Sequence, residues 1–331
     1  MHTQRRHFIQ VLGSAAALGS FAPLSVFAQT QPLDQVKIMY GFPPGSAGDS
    51  VARRVAEKLG GTAYSKNPGY VENKPGAGGR IAVESLKNAP ADGTVLTLAP
   101  VSALAVYPHI YPKLSYKPED VVPVSIGAVM HHGLAVGPAV PPEVKTLKDF
   151  LAWAKANPDK ASFGSPGAGS MFHLLGSLLG LRVGVDIKHV SYRGIVPSIT
   201  DLVGGQIAAA MNPSGDYLQY MESGKLRVLA ITAPQRDPGF PAIPTMKESG
   251  FPEFETSVWS AFFMRAETPD DVVEKLAATI QKVMTSDAGR AYHASLPSHA
   301  MNMGPKALGE FQLREYQRFK RVADAAGIHP E

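Results

Sequence analysis

Val36-Lys37-Ile38-Met39-Tyr40-Gly41-Phe42, then Pro43-Pro44-Gly45-Ser46-Ala47-Gly48, then Asp49-Ser50-Val51-Ala52-Arg53-Arg54-Val55-Ala56-Glu57-Lys58-Leu59, is three consecutive blocks of different character. Residues 36–42 form a short apolar run closed by a Gly/Pro turn signal, which reads as a buried strand. Over residues 49–59, Val51, Val55 and Leu59 share one face, while Arg53, Arg54, Glu57 and Lys58 lie largely on the other. That is the pattern of an amphipathic helix. A strand, a glycine-rich turn and a helix in that order open a parallel α/β arrangement.

The alternation continues outward from there. Short segments at residues 70–73, 95–99, 122–129, 133–137, 161–164, 187–191, 207–211, 228–232 and 256–264 read as strands. Helical spacing recurs at 79–88, 146–156, 170–181, 196–203, 217–223, 269–284, 288–296 and 307–325, with Pro269 at a favourable first-turn position. After Pro234, the prolines at 238, 241, 244 and 252 punctuate a connector that cannot hold a long helix. The fold class is α/β with largely parallel sheets. At this length, two lobes fit better than one oversized domain. The expected division is residues 29–128 with 257–331 as one lobe and residues 129–256 as the other, with crossings near Val129 and Thr256.

The 331 residues are 44% hydrophobic and 18% charged, too apolar for a disordered chain. Cysteine is absent, which excludes a disulfide framework, a thiolate nucleophile, Cys-ligated zinc and iron–sulfur clusters. Residues 1–28 read as an export signal: Arg5 and Arg6 precede an apolar stretch, and Val26-Phe27-Ala28 supplies small residues for cleavage after Ala28. The segment Gln4-Arg5-Arg6-His7-Phe8-Ile9-Gln10 suits a twin-arginine signal, with the general secretory route as the alternative. Cleavage removes two of the 32 basic residues and no acidic one, which lowers the formal charge from +4 to +2. A nucleic-acid partner is not implied. No later run reaches the length of a spanning helix, so the expected product is a soluble, exported, periplasmic protein.

Four segments share one design, in which a strand ends, a Gly/Ser/Pro turn follows and a helix begins: residues 42–49, 73–80, 164–170 and 192–198. Carboxyl ends of strands face the ligand crevice in open α/β sheets, and helix amino ends there offer free N–H groups to an anion. Enzyme signatures are missing. There is no third glycine after Gly76-x-Gly78 or Gly167-x-Gly169, no Walker A loop at Gly224-Lys225, no G-x-S-x-G and no H-E-x-x-H. His131 and His132 would point to opposite faces of a strand, which suits metal binding poorly, and read as exposed or satisfied histidines. Asp49, at the mouth of a helix, reads as a cap or loop brace rather than a general base.

The order and spacing of several blocks resemble the Bug family, also called TctC, the extracytoplasmic solute receptors of tripartite tricarboxylate transporters. The blocks are Phe-Pro-Pro-Gly-x-x-x-Asp (42–49), Glu-Asn-Lys-Pro-Gly-Ala-Gly-Gly (72–79), Ala-Pro-Ala-Asp-Gly (89–93), Tyr-Arg-Gly with Thr-Asp-Leu-Val-Gly-Gly-Gln (192–206) and Pro-Thr-Met-Lys-Glu-Ser-Gly-Phe-Pro (244–252). The resemblance implies a type II periplasmic-binding-protein fold whose two lobes, joined by a two-strand hinge, close on a small organic carboxylate: a di- or tricarboxylate, an acidic amino acid or an aromatic acid. It also implies a monomer that serves a two-component membrane permease, with no cofactor, no metal and no catalysis. Carried over by position, Phe42, Pro44, Gly45, Ser46, Ala47, Gly48 and Asp49 bind the ligand carboxylate through backbone amides and ordered water. Ala77, Gly78, Gly79, Arg80 and Ser102 face it from the same lobe. Ser165, Ala168, Gly169, Ser170, Tyr192, Arg193, Gly194 and Asn212 form the opposite wall.

The chain departs from the family pattern at four places. The first loop lacks the usual threonine, Asn212 and Ala208 stand where acids are frequent, and Arg80 stands where Asn is common. Pointing inward, Arg80 would pair bidentately with a second carboxylate; pointing outward, it is a solvated helix-start residue. An exported α/β enzyme and a ligand-presenting accessory of a sensor kinase are the alternative functions.

Overall fold

In the computed structural model, the described residues are 31–239, 241–295 and 301–326, so the expected export signal at residues 1–28 lies outside them. The strand that opens the fold, β1 (Lys37–Tyr40), is buried from Ile38 on and pairs in parallel with β2 (Tyr70–Asn73) and β3 (Val95–Pro100). Helices α1 (Ala47–Leu59) and α2 (Arg80–Lys87) follow β1 and β2. Val51, Val55 and Leu59 of α1 are fully buried, as the apolar stripe requires, while Arg53, Glu57 and Lys58 are exposed.

The expected strands at 122–129 and 133–137 form one strand, β4 (Val121–Val136), sixteen residues long. His131 and His132 interrupt the apolar pattern without breaking the backbone, because β4 has partners along its whole length. From Val121 to His131 it pairs antiparallel with β9 (Ser257–Arg265). From His132 to Val136 it pairs with β7 (Ala209–Pro213), and from Gly133 to Val136 also with β8 (Arg227–Ile231). Thr232 ties the point where partners change: its Oγ1 accepts the His132 N–H at 2.9 Å and donates to the Thr256 carbonyl at 2.6 Å. Neither histidine is exposed. Burial pulls His132 down to about 3, so it stays neutral; its Nδ1 lies 3.2 Å from Thr232 Oγ1, and its Nε2 has no partner among the described residues.

Beyond β7 the sheet regains parallel pairing with β5 (Ser162–Ser165) and β6 (Lys188–Ser191). The described strands run in the order β2-β1-β3-β9-β4-β7-β5-β6, with β8 beside β4. Two parallel groups, β2-β1-β3 and β7-β5-β6, are thus separated by the antiparallel pair β9 and β4. Helices α3 (Tyr107–Ile110) and α4 (Leu147–Ala156) come after β3 and β4, and α5 (Met171–Val183) and α6 (Ile195–Val203) follow β5 and β6. Asp270–Thr285 begins just after Pro269, which stands at the capping position rather than inside the first turn. After β3 the chain turns at once into a π-turn, Ser102–Val106, and a short helix, Tyr107–Ile110, which apolar periodicity did not reveal. Pro108 and the wide turn break the 3.6-residue pattern there.

Candidate functional site

All the expected glycine loops leave the carboxyl ends of parallel strands, where open α/β sheets place ligands. In the first loop, Ser46 caps α1: its Oγ accepts the Asp49 N–H at 3.3 Å and lies 3.1 Å from the Tyr40 hydroxyl. Asp49 is therefore not the cap. Its buried carboxylate braces the loop, accepting from Gly45 N–H (3.1 Å), from Arg53 Nε and Nη2 (2.9 and 3.2 Å) and from Asn73 Nδ2 (2.8 Å). Both of its oxygens are committed to protein donors. Phe42 packs its ring 5.4 Å from that of Tyr40, and Pro44 and Gly45 stay exposed.

The second loop is bent through consecutive positive φ angles at Gly76 (131°), Ala77 (49°), Gly78 (63°) and Gly79 (92°). Only Ala77 among them carries a Cβ, and such a conformation costs it about 1–2 kcal/mol. The Tyr107 hydroxyl holds the bend by donating to the Gly78 carbonyl at 3.1 Å. Arg80 follows directly. Its Nε donates to the Ala77 carbonyl at 2.9 Å, and its guanidinium lies 3.7 Å from the Tyr111 ring centroid and 5.7 Å from that of Tyr107. The arginine is half-buried and stacked rather than free in water.

The third loop, after β5, is braced from beneath by two histidines. Gly169 N–H donates to His173 Nδ1 at 2.9 Å, and Ser165 Oγ lies 2.8 Å from His189 Nε2. The two imidazoles stack with centroids 3.7 Å apart. Burial lowers His173 to about 4 and His189 to about 3, with the neighbouring His173 adding to the second shift, so both rings are neutral. Ser170 caps α5 by accepting the His173 N–H at 3.3 Å. In the fourth loop the Tyr192 hydroxyl donates to Asp201 at 2.8 Å, while Arg193 is exposed and its guanidinium makes no hydrogen bond or ion pair among the described residues. The cation expected in the wall therefore faces water in this form.

The loops of the two strand groups meet. A Cβ on Gly167 would lie 2.9 Å from Gly78 Cα, and one on Gly194 would lie 2.6 Å from Pro43 Cδ. The Tyr111 hydroxyl donates to the Ala168 carbonyl at 2.9 Å, and Ser102 Oγ accepts the Met171 N–H at 3.1 Å. Across the same seam Ala47 N–H donates to Asp216 Oδ1 at 2.9 Å. Asn212 sits deeper, fully buried on β7, where its Nδ2 reaches Ser198 Oγ (3.3 Å) and the Tyr217 hydroxyl (3.2 Å) and its Oδ1 has no partner among the described residues. A groove of about 290 Å³ runs beside the seam between residues 44–47 and the segments around Ile195 and Asp216. A larger cavity, about 640 Å³, lies between α1 and Asp270–Thr285, and none of the expected site residues borders it.

Of the expected residues, Ala47, Gly78, Ser102, Ala168 and Gly194 make the contacts across the seam, whereas Asp49, Ser165 and Tyr192 bond within their own strand group, Arg193 faces water and Asn212 lies beneath. Tyr107, Tyr111, His173, His189 and Asp216 were not anticipated. The spacing Ser170-x-x-His173 could have flagged the histidine, because the residue three after a cap lies back over it. Asp216 carries no such local signal, since its partner is 169 positions away. The described residues contain no group of three or more His, Cys, Asp or Glu arranged to hold a metal ion.

The family model "Tripartite tricarboxylate transporter family receptor" matches residues 51–328. BugT of Bordetella pertussis is 34% identical over 314 residues, which cover 94% of each chain. A solved R. palustris protein with adipate is 27% identical with a TM-score of 0.84, over 91% of this chain and 99% of that one. MatC from Rhodopseudomonas palustris, solved with bound malate, is 26% identical with a TM-score of 0.81, over 88% and 99%. The sheet order, the converging glycine loops and these matches lead to one assignment: this chain belongs to the TctC family of tripartite tricarboxylate transporter receptors.

Proposed function

We propose that the chain is a periplasmic receptor that captures a small organic carboxylate between two lobes, residues 29–128 with 257–331 and residues 129–256, and delivers it to a two-component membrane permease. The observation that carries this reading is the seam itself: glycine loops at strand carboxyl ends, drawn from both parallel groups, converge within contact of one another. Glycine there lets backbone amides approach a ligand closely, and helix amino ends favour negative charge. The relatives solved with adipate and malate support a carboxylate as cargo. Arg80 supports it further, because a stacked guanidinium beside the seam suits a planar, bidentate anion.

The ligand must touch both lobes, since only differential contact shifts an open–closed equilibrium. A thermal-shift panel of mono-, di- and tricarboxylates, acidic amino acids and aromatic acids tests the reading. Saturable stabilisation growing as RT ln(1 + [L]/Kd) is expected for at least one carboxylate. Stabilisation by a neutral solute alone would refute it.

A further inference from the structure

Two of the helices that open onto the seam, α1 and α5, share a peculiarity. Each has a serine cap that takes the third amide of the helix: Ser46 for Asp49 and Ser170 for His173. Each then has its first amide taken by a side chain from the other strand group. Ala47 N–H of α1 donates to Asp216 Oδ1, and Asp216 follows β7. Met171 N–H of α5 donates to Ser102 Oγ, and Ser102 follows β3. The exchange is reciprocal. First-turn amides have no partner inside their own helix, so each is left open unless something outside supplies an acceptor.

Asp216 is well placed for this. Its Oδ1 supplies the acceptor that the first amide of α1 lacks within its own helix. Its Oδ2 is shut off from solvent and has no partner among the described residues, so the carboxyl's only hydrogen bond in this form is the one across the seam. Ser102 is likewise buried, and the Tyr111–Ala168 bond lies on the same side of the fold as Ser102 and Met171.

We propose that the lobes latch shut by capping each other's helices: Asp216 completes the amino end of α1 and Ser102 completes that of α5, and both bonds form only when the lobes meet. The proposal rests on the two-lobe reading above and makes Asp216 and Ser102 positioning residues for closure. It also assigns the first amide of α1 to the protein's own carboxylate, which leaves a ligand to the remaining amides of the seam.

Site-resolved hydrogen exchange on the ligand-free full chain tests it without knowledge of the ligand. If the caps are latches, one opening motion exposes both amides. Asp216→Ala should then speed exchange by about tenfold at Met171 as well as at Ala47, and Ser102→Ala should do the same in the reverse direction. Asp216→Asn, which keeps the Oδ1 acceptor, should restore much of the protection. Substitutions that affect only their own amide, or wild-type amides at Ala47 and Met171 that exchange at unprotected rates, would overturn the latch. Because no ligand enters this measurement, its failure is separate from failure of the carboxylate reading, which the thermal-shift panel decides. An unchanged melting profile of each variant confirms that the exchange reports closure rather than unfolding.

Discussion

Arg80 is the side chain whose role most depends on where it points. Stacked on Tyr111 and tied to the Ala77 carbonyl, it is fixed beside the seam, so removing it should hurt ligands with a second carboxylate most. Titration calorimetry should show Arg80→Ala weakening a dicarboxylate by about tenfold while leaving a matched monocarboxylate nearly unchanged. Equal affinity of wild type and variant for the dicarboxylate would remove Arg80 from the site. Asp216 makes a second prediction, because burial raises its carboxyl to about 7, partly offset by the Ala47 amide. Tyr40 and Tyr217 feel its charge and are themselves pushed up by burial, so they stay neutral. Asp49 is compensated by Arg53, and no ion pair among the described residues involves Asp216. A carboxyl raised in the docked form favours docking while protonated. That contribution is complete below the ordinary carboxylate range and is lost as pH rises through about 7. Protection of the Ala47 amide, corrected for intrinsic exchange, should therefore be greater at pH 6 than at pH 8. The difference should vanish in Asp216→Asn. The sequence was legible where the signal is local: Asp49 as a loop brace and the glycines stand next to the turns they shape, though the cap of α1 is Ser46 rather than Asp49. It was silent on Asp216, Tyr107 and Tyr111, whose roles are set by contacts far along the chain.

Elements follow the same division. The helix from Ala47 and the strand Lys37–Tyr40 could be read from a clean apolar stripe and a short apolar run. The merging of two expected strands into β4 could not be read that way, because continuity there comes from partners on β9, β7 and β8 rather than from β4's own residues. The Ser102–Val106 turn was hidden because a π-turn has neither helix nor strand period. The glycine loops of the two strand groups approach closely, and that contact yields a prediction. A methyl on Gly167 would meet the Gly78 backbone at 2.9 Å, and backbone does not give way as a flexible side chain does. Gly167→Ala should cost about 1–3 kcal/mol of docking, roughly five- to a hundredfold in ligand affinity. Calorimetry with the best-binding carboxylate checks this, and undiminished affinity would mean that the loops do not need to touch when ligand is bound.

The whole molecule is two parallel strand groups held apart by β4 and β9, with the change of partner tied at Thr232 and every loop of interest on the carboxyl side of a strand. That layout explains why a sequence rich in glycine and proline and empty of enzyme signatures folds into a receptor architecture: its special residues serve turns that face one seam. The family assignment and the carboxylate proposal meet at that seam. A crystal structure of the chain with the carboxylate that stabilises it most tests whether both strand groups hold the ligand. A carboxylate oxygen is expected within about 3 Å of backbone amides in the loop at residues 76–80 and in the loop at residues 165–170. A ligand held by one strand group alone, or seated in the cavity between α1 and Asp270–Thr285, would contradict that expectation.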